Sequence, residues 1–138
     1  MAAGFTDYFE GKVLGLIFGA RAFTAPSTYY VGLWTTTLSD TSTGSTAGEV
    51  SGGSYARVSV TNGTSQFADP AGAGATSNAQ LISFPMATAS WGTVTHVGIC
   101  DASTAGNMIA YAQLASAVSV AQYDTVIFQP GDLDITLT

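Results

Sequence analysis

A chain of 138 residues with 46% hydrophobic and only 9% charged positions is one domain's worth of sequence with enough apolar surface for a single core, which excludes disorder. Three cations, Lys12, Arg21 and Arg57, against nine acids leave a net charge of −6, which excludes the basic stripe that binds nucleic acid or an anionic membrane. The one membrane-like stretch, residues 13–20, falls far short of the ~20 apolar residues needed to span a bilayer.

The first element is a helix over residues 7–19, with Asp7 and Glu10 as an N-capping pair and Gly19 as the stop. Phe9, Val13, Leu16 and Ile17 fall at helical spacing, and Tyr8, Leu14 and Phe18 widen the stripe beyond half the circumference. Such a helix has to be covered by its own domain or by a neighbouring chain. Ala20-Arg21-Ala22 resembles a signal-peptidase site, but the acidic stretch before it is not a signal n-region, and no secretion signal is assigned.

After Pro26 the chain turns to short β-prone runs punctuated by Gly, Ser, Thr, Asn and Pro. Strands are expected at 29–35, 55–61, 80–84, 93–100, 107–114, 117–120, 125–129 and 133–137. Tyr55-Ala56-Arg57-Val58-Ser59-Val60 and Leu133-Asp134-Ile135-Thr136-Leu137 alternate apolar and polar positions, as half-buried strands do. Low-complexity stretches at 36–54 and 62–79 are expected to be surface loops that reach neighbours. The pattern predicts an all-β, jelly-roll-like antiparallel β-sandwich with a short N-terminal helix, divided into a helix and connector over 1–28 and a sandwich over 29–138.

Catalytic chemistry has little to stand on. His96 is the one histidine, no serine sits in a nucleophile elbow, and a strand histidine held in the core explains it. Cys100 lies in a strand-like run with no nearby basic group to make a thiolate, so it reads as a small buried hydrophobe. Asp132 and Asp134 are the best oxygen pair for calcium, yet they read as a turn former and a wet strand position; no metal and no cofactor is assigned. Glu49 and Asp101 are weak candidates for a glycosidase pair, and Asp101 reads better as a turn former. Gly72-Ala73-Gly74 lacks a dinucleotide loop's third glycine, and Asn62-Gly63 reads as a turn.

Glu49-Val50-Ser51-Gly52-Gly53-Ser54-Tyr55-Ala56-Arg57, then Phe84-Pro85 through Trp91-Gly92-Thr93-Val94-Thr95-His96-Val97-Gly98-Ile99, and Gly131-Asp132-Leu133-Asp134-Ile135-Thr136 form a recognisable set. With Tyr29 to Trp34 and the helix included, the chain resembles small tailed-bacteriophage virion proteins, often labelled tail-fibre-like, to which capsid cement (decoration) proteins are similar. The resemblance implies a non-enzymatic virion structural protein on the head exterior. Its expected partners are the major capsid protein and further copies of itself, as a homodimer or other homo-oligomer. A tail-fibre or baseplate-associated adhesin is the alternative. Gly52-Gly53 is expected to permit positive φ, and Trp91 to anchor the loop before strand 93–100. Candidate contact residues are Phe9, Val13, Leu16 and Phe18 on the helix, with Trp34, Arg57 and Trp91; Arg57 is expected to pair with a carboxylate at a strand surface or subunit contact.

Overall fold

The computed structural model describes residues 3–137 apart from 71 and 73. Its elements in chain order are β1 (Ala3–Phe5), α1 (Asp7–Phe18), β2 (Thr28–Trp34), β3 (Val58–Thr61), β4 (Ala75–Ser77), β5 (Ile82–Ser83), β6 (Gly92–Cys100), β7 (Met108–Val120), β8 (Ile127–Phe128) and β9 (Asp134–Thr136). Five strands form one antiparallel sheet in the order β1-β7-β6-β2-β3, and two antiparallel ribbons, β4-β9 and β5-β8, complete the β structure. The chain is therefore mostly β with one short helix, compatible with the sandwich that its alternating runs predict.

Alternation on the central strands sends side chains to two separate cores. Val31 and Leu33 of β2, Val60 of β3 and Val94 and Val97 of β6 meet Ile82, Phe84, Phe128 and Leu133 from the ribbon side in the larger core. Each of these aliphatic side chains contributes roughly 1.5–3 kcal/mol by leaving water. The opposite face of the sheet carries Trp34 and Cys100, which pack with Leu38 and Met108 in a smaller core. Gly32 and Gly98 are paired across β2 and β6. A Cβ on either would come within 3 Å of the Trp34 ring, so this glycine pair makes the bed on which the indole lies.

β7 joins two runs that the sequence separates. Gln113 pairs with His96 and Val118 with Val94, so residues 114–117 of β7 stand opposite Thr95 alone. This four-against-one irregularity is a large bulge, which explains why the sequence pattern breaks there while the strand continues. Strand β1 is the edge partner of β7, with Ala3 opposite Ala112 and Phe5 opposite Ala110, so the segment before the helix belongs to the main sheet.

The 36–54 stretch is packed, not loose. Leu38, Ser42 and Val50 are buried, and Ser39 N donates to Ser42 Oγ (2.9 Å) while Thr43 N donates to Thr46 Oγ1 (2.8 Å). Side-chain hydroxyls here supply the backbone partners that a strand would otherwise provide. Residues 55–57 precede β3 instead of belonging to it, because Gly52, Gly53 and Ser54 all have positive φ and Tyr55 N closes a turn on Gly52 O.

Cys100 is fully buried in the smaller core, and burial pushes its thiol up to about 12. The native protein is expected to leave a thiol reagent such as DTNB unreacted at about pH 8, and to release one equivalent of chromophore on unfolding. Rapid labelling of the folded chain would contradict the burial of this core.

Candidate assembly surface

The helix begins where the sheet releases it. Thr6 is fully buried, its N donates to Ile109 O (3.0 Å) and its hydroxyl donates to Met108 O. That hydroxyl therefore does not cap the helix, and the N-cap is Thr6, not the expected Asp7, which occupies the first helical position. Asp7 N donates to Asp40 O (2.8 Å). At the other end Gly19 is the C-cap, Ala20 turns left-handed (φ 50°), and both Gly19 N and Arg21 N return to Gly15 O.

Between these ends α1 buries no residue completely. Phe9 packs on Phe5 (ring centroids 4.9 Å apart) and on Phe23 (6.2 Å), which with half-buried Tyr8 and Val13 holds one flank against the body. The rest faces outward, with Leu14 59%, Leu16 49%, Ile17 62% and Phe18 82% exposed. The expected cover over this helix is thus mostly absent from its own domain, and the apolar patch it leaves is of the size that on a monomer often marks a functional surface.

The other three candidate contact residues lie inside the domain and present no surface to a partner. Trp34 is completely buried, its Nε1 donating to Thr46 O (2.9 Å). Trp91 is buried with its Nε1 donating to Gly53 O (2.9 Å), which is the loop-anchoring role its size predicts. Arg57 is the centre of an internal clamp. Its Nε and Nη2 grip Glu49 (2.6 and 2.7 Å), Nη2 also donates to Gly44 O (2.7 Å), and Nη1 donates to Ala102 O (2.8 Å) and Ala105 O (3.0 Å). All five guanidinium donors are used, and the cation lies 5.5 Å from the Trp34 ring centroid. Arg57 does pair with a carboxylate, but within its own chain. Sequence reasoning placed Leu14 and Ile17 in the apolar stripe without choosing them as contacts, although exposure singles them out.

His96, Asp101 and Asp132, weighed for chemistry, all make contacts within the fold. His96 is buried, with Nδ1 2.8 Å from Thr95 Oγ1 and Nε2 without a hydrogen-bond partner. Desolvation lowers its pKa from 6.5, so burial favours the neutral imidazole. An unfolded chain takes up a proton below about pH 6.5 that the folded one refuses, so this contribution to stability is present above that pH and lost as pH falls. His96→Gln is expected to flatten the decline of melting temperature between about pH 7 and 5; an unchanged slope would contradict it. Asp101 accepts from Asn107 N and Nδ2 (both 2.8 Å), and Asp132 accepts from Gln129 N (2.7 Å), as turn formers do. Among the described residues no cluster of three or more His, Cys, Asp or Glu could hold a metal ion.

Two clefts border the sheet. One of about 310 Å³ lies beside Phe5, Phe9, Tyr29, Phe67, Ile99 and Ile135. Another of about 680 Å³ runs between β7 and the β8 and β9 segments. Both are walled mainly by apolar side chains and offer shape complementarity more than reactive groups.

A protein-family model described as Podophage GP4 fiber I protein gp80 matches residues 4–136 of this chain. No curated protein matches it.

Proposed function

Because the chain belongs to the podophage GP4 fiber I protein gp80 family, whose members are phage virion proteins, we propose that it is a non-catalytic structural module of a tail fibre. What carries this reading is the family's own description, over nearly the full length of the chain. The exposed apolar face of α1, on a domain whose other large side chains are mostly packed away, supports work by protein–protein contact.

A second reading, a cement protein that binds the outer surface of the major capsid protein and stabilises the head, is favoured by one observation. The described residues form a single sandwich with no elongated shaft element. A cement protein acts by bridging capsid subunits, so each bound copy stabilises the shell through buried area and mass action.

Copy number separates the two. Quantitative mass spectrometry of purified virions, referenced to the major capsid protein, is expected to find a handful of copies, roughly three to eighteen for the small symmetries of a tail. Hundreds of copies would overturn the fibre reading in favour of cement.

A further inference from the structure

The exposed face of α1 has a polarity of its own. Asp7, Glu10, Gly11, Leu14, Ile17 and Phe18 recur at i+3, i+4 and i+7, which places them on one side of the helix, and every one is exposed, as is Arg21, whose stem lies beyond the left-handed Ala20 and against Gly15. The stripe is acidic at its start, apolar in its middle and basic at its end. Among the described residues the Asp7 and Glu10 carboxylates and the Arg21 guanidinium have no ion-pair or hydrogen-bond partner, and the only salt bridge is Arg57 with Glu49.

We infer that this face is a homotypic interface, in which α1 of one copy packs antiparallel against α1 of a second copy about a two-fold axis near Leu14. Charge supports that orientation. Antiparallel pairing brings the acidic start of each stripe toward the basic end of the other, whereas parallel pairing sets acid on acid and base on base. Self-association at this face also escapes the repulsion of an acidic protein. Residues 7–21 hold two acids and two of the chain's three cations, so the whole net charge of −6 resides elsewhere.

Shape and area agree. A side chain at Gly11 would meet nothing within 4 Å, leaving an open notch on the stripe for the bulky Phe18 or Ile17 of the partner. Leu14, Ile17 and Phe18 expose roughly 400 Å² of apolar side chain per copy, about 800 Å² for a pair. The Arg21 stem, Gly11 and the acidic turn bring the total to the ~1,000 Å² that a specific contact needs.

This inference rests on the reading of α1 as a contact surface, not on whether the protein sits on the tail or the head, and virion copy number leaves it untouched. The test is sedimentation velocity of the purified chain from about 1 to 200 µM. A monomer–dimer equilibrium is expected, and Ile17→Asp with Phe18→Asp should abolish it without changing the melting curve, because neither side chain is buried. Arg21→Glu should weaken the dimer roughly tenfold at low salt, and adding Asp7→Lys, at the position that an axis near Leu14 sets opposite residue 21 of the second copy, should restore most of the loss. A chain that stays monomeric, a trimer, or a dimer indifferent to the aspartate pair would overturn the inference. Failure of the second charge change to rescue the first would overturn the antiparallel orientation.

Discussion

Arg57→Ala is expected to destabilise the protein by about 3–5 kcal/mol, a large fraction of the 5–15 kcal/mol that holds a typical domain folded. The guanidinium reinforces the junction that Gly44 N makes with Gly106 O (3.0 Å), tying Glu49 and Gly44 from the long loop after β2 to Ala102 and Ala105 from the turn between β6 and β7. Removing it strands three carbonyls and a partly buried carboxylate together. By the usual size scaling the melting temperature should fall by roughly 10–15 °C, measurable by circular dichroism. Arg57→Lys should recover little, because an ammonium has three donors and no planar fork to hold the carboxylate in bidentate fashion. Removing both charges, as in Arg57→Met with Glu49→Leu, should cost less than the sum of the single changes. A drop below about 3 °C for Arg57→Ala would show that the clamp is dispensable.

Asn78→Leu is the second large effect, at about 3 kcal/mol. Asn78 is buried, and its amide makes the hydrogen bonds that join the two ribbons. Its Nδ2 donates to Gln80 O (2.9 Å) and Gln129 O (2.8 Å), its Oδ1 accepts from Leu133 N (2.9 Å), and its own carbonyl accepts from Gly131 N (2.8 Å). Leucine has nearly the same volume but leaves two part-buried carbonyl bonds unmade and the buried Leu133 N–H unmatched. Asn78→Asp should be comparably damaging, since it replaces two donors by an acceptor facing carbonyls. Urea denaturation at constant m value would measure the loss; a change below 1 kcal/mol would mean that water takes over these bonds.

The long central strands were legible because their alternation is strong: β2 and β6 fall within a residue or two of the runs at 29–35 and 93–100, while β7 spans the two separate runs at 107–114 and 117–120. The helix was legible for the same reason, with only its cap misplaced by one residue. Strand β1 was not, since Ala3-Gly4-Phe5 has no propensity of its own and is a strand only because the β7 edge is there to pair with it. Strand β4 lay hidden in a Gly- and Ala-rich stretch for the same reason, recruited by β9. The Arg57 clamp was illegible in a deeper sense, because most of its partners are backbone carbonyls, and no residue type writes a carbonyl into a pattern. Paired hydroxyls did carry a signal: Ser39 with Ser42 and Thr43 with Thr46 sit three apart, the spacing of side-chain-closed turns. In the candidate contact set, exposure divided what composition could not. Leu16 and Phe18 face outward, while Trp34 and Trp91, equally apolar, are core.

The helix is an excursion inserted between two strands of one sheet, and this sets how the domain would bear a mechanical load. Force applied at α1 travels along the chain in two directions at once. One path enters β1 through Thr6 and pulls on the outer edge of β7; the other passes through the connector into β2, which is held on both sides by β3 and β6. With the two anchor strands separated by β6 and β7, the pull is spread across the breadth of the sheet instead of unzipping a single edge. A tug on the helix therefore has to unpick an edge strand and an interior strand before the body comes away.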